Sequence, residues 1–114
     1  MKNRHSVIDI TLHLVLVTKY RKLFAFESVV LESAVTSSGC ILEKIGIANN
    51  HVHLLISVPS TRTVSKVVEI IKSSSSRRFM NLFPSTWPGW QTGFYVSSVG
   101  RSSKNKVKKY LEDQ

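Results

Sequence analysis

The stretch NNHVHLLISVPS, residues 49–60, places two histidines inside a run of apolar residues. On a β-strand successive side chains point to opposite faces, so the alternate apolar residues from Val52 to Ile56 share one face. His51 and His53 share the other face. A hydrophobic core accounts for the apolar face, whereas the histidine face has two explanations. The rings are partly buried with local hydrogen bonds, or they form half of a divalent metal site.

The residues around this strand predict an alternation of strands and helices without internal repeats. Asn49 and Asn50 can supply a tight turn before it, because asparagine tolerates positive φ. The order βαββαβα matches the ferredoxin-like (RRM-like) α+β plan, with helices on one face of an antiparallel sheet and an added C-terminal helix. The predicted elements are a strand at 7–18, a helix at 27–37, a strand at 41–48, a strand opened by His51, a helix capped by Thr61 or Thr63 and ending near Leu82, a strand at 94–100, and a helix capped by Ser102 or Ser103.

Apolar spacing predicts which faces of these elements are buried. The first helix is expected to pack through Val29, Val30 and Ala34, and the second helix to remain helical through Ser73–Ser76. The stretch FPSTWPGWQTG, residues 83–93, predicts a loop because of its prolines and glycines. The expected core faces comprise Ile8, Ile10, Leu12, Leu14 and Leu16 in the first strand, and Val64, Val67, Val68, Ile71, Phe79 and Leu82 in the second helix.

Length and composition indicate one domain, residues 1–114, with a single modest core. The hydrophobic content is 42%, and no apolar run reaches the roughly 18 to 20 residues that a membrane span needs. The N-terminal apolar stretch is interrupted at alternate positions by Asp9, Thr11 and His13, which favours a strand over a signal peptide. Cys40 is the single cysteine, so an internal disulfide and a multi-cysteine zinc site are excluded. A cytoplasmic location is expected.

The charge balance is the strongest compositional clue, because 16 Lys and Arg against 7 Asp and Glu give a net charge of +9. Each cluster of basic residues alone is typical of a solvated surface, and the last could also be a basic membrane helix. Three clusters with so little acid favour a polyanion such as nucleic acid. The clusters are Lys19, Arg21 and Lys22; Arg77 and Arg78; and Arg101, Lys104, Lys106, Lys108 and Lys109.

Four motifs, LVLVTKYRK, HVHLLISVP, FYVSSVG and KKYLEDQ, occur in this order along the chain. In this respect the chain resembles the single-tyrosine HUH transposases of single-stranded-DNA insertion sequences and the related REP-associated tyrosine transposases. The HUH pair, in which U is a bulky apolar residue, falls on His51, Val52 and His53. The family's catalytic tyrosine falls on Tyr110, and its third metal ligand, a glutamine one helical turn later, falls on Gln114.

Helical geometry agrees with this assignment, because Tyr110 and Gln114 are four residues apart and project from the same helix face. The alternative is that Tyr110 only continues the apolar stripe of that helix. Tyr20 and Tyr95 are rival tyrosines, but neither has an amide partner one turn later. Tyr95 is also expected to lie far from the histidines.

The resemblance implies metal-assisted transesterification. A Mg²⁺ or Mn²⁺ ion held by His51, His53 and Gln114 would polarise the scissile phosphodiester. The Tyr110 hydroxyl would attack phosphorus, form a 5′-phosphotyrosine bond and release a 3′-hydroxyl. The cleaved DNA could then be rejoined without ATP.

The resemblance also implies partners. Family members are homodimers, and a glycine before the tyrosine helix serves as a hinge, which here is Gly100. Their substrates are single-stranded DNA with hairpin ends. The residues expected to contact phosphates are Lys19, Arg21, Lys22, Arg77 and Arg78.

Two departures from the family pattern bear on the site. Asn50 stands where an acidic residue commonly precedes the first histidine, so the carboxylate that would orient the ring is replaced by an amide. The segment between Arg21 and Cys40 is shorter than is usual, which predicts a trimmed first helix and would impair activity if it disturbed packing.

Two other functions fit parts of the same sequence. A noncatalytic module with a ferredoxin-like sheet could bind single strands through exposed aromatics, although the strands offer few aromatics and no RNP-like pattern. A replication or conjugation initiator nickase would share the histidine pair and the tyrosine, but normally has a larger chain.

Overall fold

The computed structural model describes residues 10–99, which form a four-stranded antiparallel sheet and two helices. The order βαββαβ confirms the predicted ferredoxin-like α+β plan. The last predicted helix, with Tyr110 and Gln114, lies outside the described residues, as do Gly100 and positions 7–9 of the first strand. The elements are β1 Ile10–Val17, α1 Ser28–Ser37, β2 Ile41–Ile47, β3 His51–Val58, α2 Val64–Leu82 and β4 Tyr95–Ser98.

The sheet has the strand order β2-β3-β1-β4, so β1 and β3 lie at its centre. Leu14 pairs with Leu54 in this central ladder, and both side chains are fully buried beneath the helices. The neighbouring pair of this antiparallel ladder, Val15 and His53, projects from the opposite face. The two most apolar strands therefore provide the core with one face and present histidines on the other.

A β-bulge interrupts the regular alternation predicted for residues 41–48. Leu42 pairs with Ile56 and Lys44 pairs with Leu55, which leaves Glu43 as the extra residue of β2. The Glu43 carboxylate accepts a hydrogen bond from the Ser57 hydroxyl at 2.7 Å. Because of the bulge, Leu42 and Ile45 both pack against the core, although they are three residues apart.

Both helices pack on the same face of the sheet, but three expected core contacts are wrong. Ile10, at the start of β1, is 45% exposed. Val29 is 59% exposed, because α1 is rotated so that its buried stripe begins at Val30. Leu82 is 53% exposed at the last residue of α2. Of the two predicted caps for α2, the structure has Thr63, whose hydroxyl accepts from the Lys66 amide at 3.2 Å. The buried residues of α1 are Val30, Leu31, Ala34 and Val35.

The serine run in α2 is helical, as predicted, and it anchors two tryptophans. The Ser75 hydroxyl donates to the Ile71 carbonyl at 2.6 Å and accepts from Trp90 Nε1 at 2.9 Å. The Ser76 hydroxyl accepts from Trp87 Nε1 at 3.0 Å. Both indoles are buried, so the predicted loop at 83–93 covers one end of the core. Buried tryptophan N–H groups need hydrogen-bond acceptors, which explains why α2 contains these polar serines.

Further aromatic rings pack around the buried tryptophans at this end of the core. Phe24 packs edge to face against Phe79 and Trp87, with ring centroids 5.1 and 4.8 Å away.

Within residues 10–99, neither helix is long and apolar enough to cross a membrane.

Candidate active site on the histidine face

The sheet face opposite α1 and α2, here called the histidine face, carries the HUH pair at the start of β3. His51 pairs with Val17 and His53 with Val15, so both rings project from this face. Their ring centroids are 5.0 Å apart and the ring planes are inclined by 74°. The expected same-face arrangement is therefore present, and the role of the pair as metal ligands stays a prediction.

His51 is oriented by its neighbour in sequence. Its Nδ1 lies 2.8 Å from the side-chain oxygen of Asn50, so Nδ1 carries the proton and donates it. The sequence suggested that a carboxylate beside His51 was missing. The amide oxygen of Asn50 makes the corresponding contact. This tautomer leaves the lone pair of His51 on Nε2, the form that binds a metal ion through that nitrogen.

A third histidine, His13 on β1, belongs to the same site and was not identified as a site residue from the sequence. Its Nε2 lies 2.9 Å from Nδ1 of His53, and the two rings stack with centroids 5.0 Å apart. The contact engages Nδ1 of His53, as the contact with Asn50 engages Nδ1 of His51. The only sequence signal was that His13 falls on the polar, alternate positions of the first strand. Its partner could be recognised only after β1 was placed beside β3.

The electrostatics of the site favour neutral imidazoles. Burial, followed by the charges of His13 and His51, lowers the pKa of His53 to about 4. Burial also lowers the pKa of His13 below its ordinary value. At neutral pH the His53 ring is therefore uncharged, and the neutral ring is the form that can act as a metal ligand.

We expect the protein to lose stability as the pH falls from 7 towards 4. The ordinary pKa of histidine is 6.5, whereas that of His53 in the folded protein is about 4. Between these values the unfolded chain binds more protons, so the free energy of unfolding decreases on acidification. The loss is on the order of 1–2 kcal/mol, because the ring keeps partial access to solvent.

Urea unfolding at pH 7 and pH 4.5, with EDTA present, measures this loss. The variant His53→Gln should show a smaller difference between the two pH values, since it lacks the titrating ring. An equal pH dependence in the wild type and the variant would contradict the assignment.

The donor set fits a divalent ion only in part. Two neutral imidazoles on one face provide nitrogen ligands that suit first-row metals. Among residues 10–99, no group of three or more His, Cys, Asp or Glu side chains is placed to hold a metal ion. A complete site would therefore need a further ligand, and Gln114, the predicted one, lies outside the described residues.

One predicted DNA-binding cluster lies at the end of the sheet where β3 begins with His51. Lys19, Arg21 and Lys22 are exposed in a turn directly after β1. Thr18, which opens this turn, donates from its amide to the Asn50 carbonyl at 3.0 Å.

The second cluster lies elsewhere. Arg77 and Arg78 are exposed on α2, in the helix layer on the other side of the sheet. Arg77 is one helical turn beyond Ser73, which lines a pocket together with Lys19. The two clusters therefore do not share the histidine face, but a surface along α2 connects them.

The placement of Tyr95 corrects an expectation. It was expected to lie far from the histidines, but it pairs with Val15, whose other partner is His53. Residues that pair directly across an antiparallel sheet project from the same face, so Tyr95 lies on the histidine face one strand beyond Val15.

The structural class is therefore an α+β protein with an antiparallel ferredoxin-like sheet and paired histidines at the start of a central strand. The family described as "Transposase IS200 like" matches residues 6–114. The chain belongs to this family of transposases.

Individual relatives agree with the assignment. The ISDra2 transposase TnpA of Deinococcus radiodurans is 25% identical over 125 residues, covering 99% of this chain and 89% of that protein. A crystal structure of a candidate transposase from D. radiodurans R1 has a TM-score of 0.75 and 26% identity, covering 100% of this chain and 97% of the other. The structure of the REP-associated tyrosine transposase bound to a REP hairpin has a TM-score of 0.69 and 13% identity, covering 97% and 70%, and shows a shared fold.

Proposed function

We propose that this transposase is a metal-dependent tyrosine transesterase that cleaves and rejoins single-stranded DNA through a 5′-phosphotyrosine intermediate. The observation that carries the proposal is the histidine pair. Two adjacent rings lie on one face, and Nδ1 of each is hydrogen-bonded to a neighbouring side chain. Such an arrangement is typical of histidines that serve as metal ligands.

The reacting group in this proposal is the Tyr110 hydroxyl. Its oxygen forms a bond to phosphorus as the bond from phosphorus to the 3′ oxygen breaks, and the tyrosine proton is lost during the attack. The leaving oxygen becomes a 3′-hydroxyl after protonation. Attack of a 3′-hydroxyl on the phosphotyrosine reverses these bond changes, so rejoining consumes no external energy.

His51, His53 and Gln114 would hold the Mg²⁺ or Mn²⁺ ion. When bound, the ion supplies Lewis-acid polarisation of the phosphodiester and stabilises charge in the transition state. Asn50 and His13 would not touch the ion, but each is hydrogen-bonded to one proposed ligand ring and orients it.

The substrate class is single-stranded DNA with hairpin ends, and two observations support it. A net charge of +9 suits a polyanion, and a relative of the same fold was solved with a REP hairpin. The Thr18 amide at the start of the basic turn donates to the Asn50 carbonyl, directly before His51, so phosphates held by this turn would lie next to the site. We further propose a homodimer in which Gly100 is the hinge before the tyrosine helix.

Incubation with a fluorescent library of single-stranded DNA hairpins and Mn²⁺, followed by a denaturing gel, tests the proposal. We expect a protein–DNA adduct that survives denaturation and disappears after protease treatment. Hairpin binding without any adduct, in the presence of Mn²⁺, would instead favour the noncatalytic binding module.

The initial binding of DNA is expected to depend on charge rather than on base sequence. If Arg77 and Arg78 contact phosphates, changing both to Ala should weaken binding of all sequences alike. The slope of log affinity against log salt should become shallower by about 0.7 per lost contact. Fluorescence anisotropy titrations at several salt concentrations measure this slope.

Lys66→Ala is a matched control, because Lys66 is also an exposed cation on α2 but already lies 3.5 Å from Glu69. It should change the slope little. A wild-type affinity that does not respond to salt would contradict the phosphate contacts.

A further inference from the structure

Tyr20 is an aromatic side chain on the surface without a structural role in the described part of the protein. Its side chain is 86% exposed, the highest value among the exposed large hydrophobics of residues 10–99. Within this range its ring makes no ring contact or hydrogen bond. Three cations, Lys19, Arg21 and Lys22, flank it, and residues 18–22 include no acidic side chain.

The backbone of Tyr20 is held in a conformation that side chains disfavour. Tyr20 has φ 57° and ψ 19°, and the next residue, Arg21, has φ 55°. Two successive non-glycine residues in the left-handed region are rare, because Cβ crowds the backbone there.

Hydrogen bonds on both sides fix this conformation. The Arg21 amide donates to the Thr18 carbonyl at 3.0 Å, and the Thr18 hydroxyl donates to the Lys22 carbonyl at 2.6 Å. The Lys19 amide donates to the Gly89 carbonyl at 2.9 Å. Backbone strain that the surrounding structure maintains is concentrated at ligand sites, so it calls for a functional explanation.

A pocket of about 330 Å³ lies beside the ring, lined by Lys19, Tyr20, Gln91 and Thr92. The pocket has room for a planar base, and the polar side chains of Gln91 and Thr92 can exchange hydrogen bonds with the edge of one. The wall is fixed, because Lys72 Nζ donates to the carbonyl of Gln91 at 2.8 Å and to that of Gly93 at 3.0 Å.

We propose that Tyr20 is a stacking platform for an unpaired nucleobase, which enters this pocket while the flanking cations contact its phosphates. Aromatic rings beside cations bind single strands in this way, since every base has a π-face. The inference rests on the proposed function for its substrate class, single-stranded DNA. It does not depend on Tyr110, on a metal ion or on cleavage.

Two fluorescein-labelled oligonucleotides of equal charge test the proposal in EDTA, where metal-dependent cleavage is suppressed. One is a 12-mer of thymidine, and the other is a 12-mer of base-free tetrahydrofuran nucleotides. The wild type should bind the thymidine 12-mer more tightly. Tyr20→Leu should weaken that binding by about 5- to 100-fold and leave binding of the base-free 12-mer unchanged.

Two further variants separate stacking from other contributions. Tyr20→Phe keeps the ring and should retain the preference for the thymidine 12-mer. Arg21→Gln should weaken both oligonucleotides to the same extent, since it removes only a phosphate contact. Equal losses on both oligonucleotides with Tyr20→Leu, or no loss on either, would overturn the proposal. A changed sedimentation coefficient with an unchanged base preference would assign Tyr20 to a protein interface and would also overturn it.

Tyr20→Gly gives an independent check with effects of opposite sign. Glycine accepts the left-handed conformation without strain, so the melting temperature should rise by a few degrees. The preference for the thymidine 12-mer should be lost. A fall in melting temperature would show that the ring supports the fold, which would contradict a ligand-binding role. Because the proposed transesterase is tested by adduct formation with Mn²⁺, failure of either proposal is distinguishable from failure of the other.

Discussion

Tyr110→Phe is expected to abolish covalent protein–DNA adducts while hairpin affinity stays within a few fold of the wild type. Phenylalanine retains the ring and removes only the nucleophilic oxygen, so folding should be preserved. Loss of a covalent nucleophile lowers the rate by more than about 1,000-fold. The measurement is single-turnover cleavage of a hairpin substrate in Mn²⁺, resolved on a denaturing gel, with affinity determined separately by anisotropy.

The other two tyrosines provide the controls. Tyr20→Phe should form adducts at the wild-type rate, since stacking needs only the ring. Tyr95→Phe is the more demanding control, because Tyr95 lies on the same sheet face as His53. If Tyr95→Phe abolishes adducts and Tyr110→Phe does not, the nucleophile is Tyr95 and the assignment of Tyr110 is wrong.

His51→Ala and His53→Ala are each expected to reduce Mn²⁺-dependent cleavage by at least about 100-fold. Each substitution removes one of the two nitrogen ligands proposed for the ion, which weakens both metal binding and phosphate polarisation. Cleavage rates should be compared over a range of Mn²⁺ concentrations, and Mn²⁺ affinity should be measured without DNA by electron paramagnetic resonance. Unchanged cleavage in either variant would contradict the metal site.

His13 variants sharpen this test, because His13 contacts the proposed ligand ring rather than the ion. His13→Leu should weaken Mn²⁺ affinity by about 10- to 100-fold, as removal of such orienting contacts does. His13→Gln should recover much of the loss, since its side-chain oxygen can accept from His53 Nδ1. The tautomer of His53, read from ¹⁵N chemical shifts, should change in the leucine variant. A leucine variant with wild-type affinity and tautomer would mean that the contact with His13 is incidental.

The arrangement of elements and the HUH face could be predicted from sequence, since both follow from short periodicities. Alternation at period two placed His51 and His53 on one side of β3 and the core on the other. The role of His13 could not be predicted in this way. Its contact with His53 joins residues 40 apart, and the pairing register that creates this contact is a property of the assembled sheet.

The errors in the predicted core have similar causes. Val29 and Val30 are both apolar, so spacing alone could not fix which residue of α1 faced the sheet. The tryptophans of the loop at 83–93 were not expected in the core, because proline and glycine content predicts a loop without indicating whether it is buried. Their burial depends on acceptors provided by Ser75 and Ser76 on another element.

The position of the histidine pair on a central strand has a consequence for control of the reaction. β3 is hydrogen-bonded on both sides, and its opposite face is fully buried at Val52 and Leu54. Displacing His51 or His53 would require opening the most stable part of the domain, which costs nearly as much as global unfolding. In the proposed reaction, the two histidines would therefore stay fixed in place. The timing of that reaction, and the choice between cleavage and rejoining, would then depend on the group that is brought to the histidines.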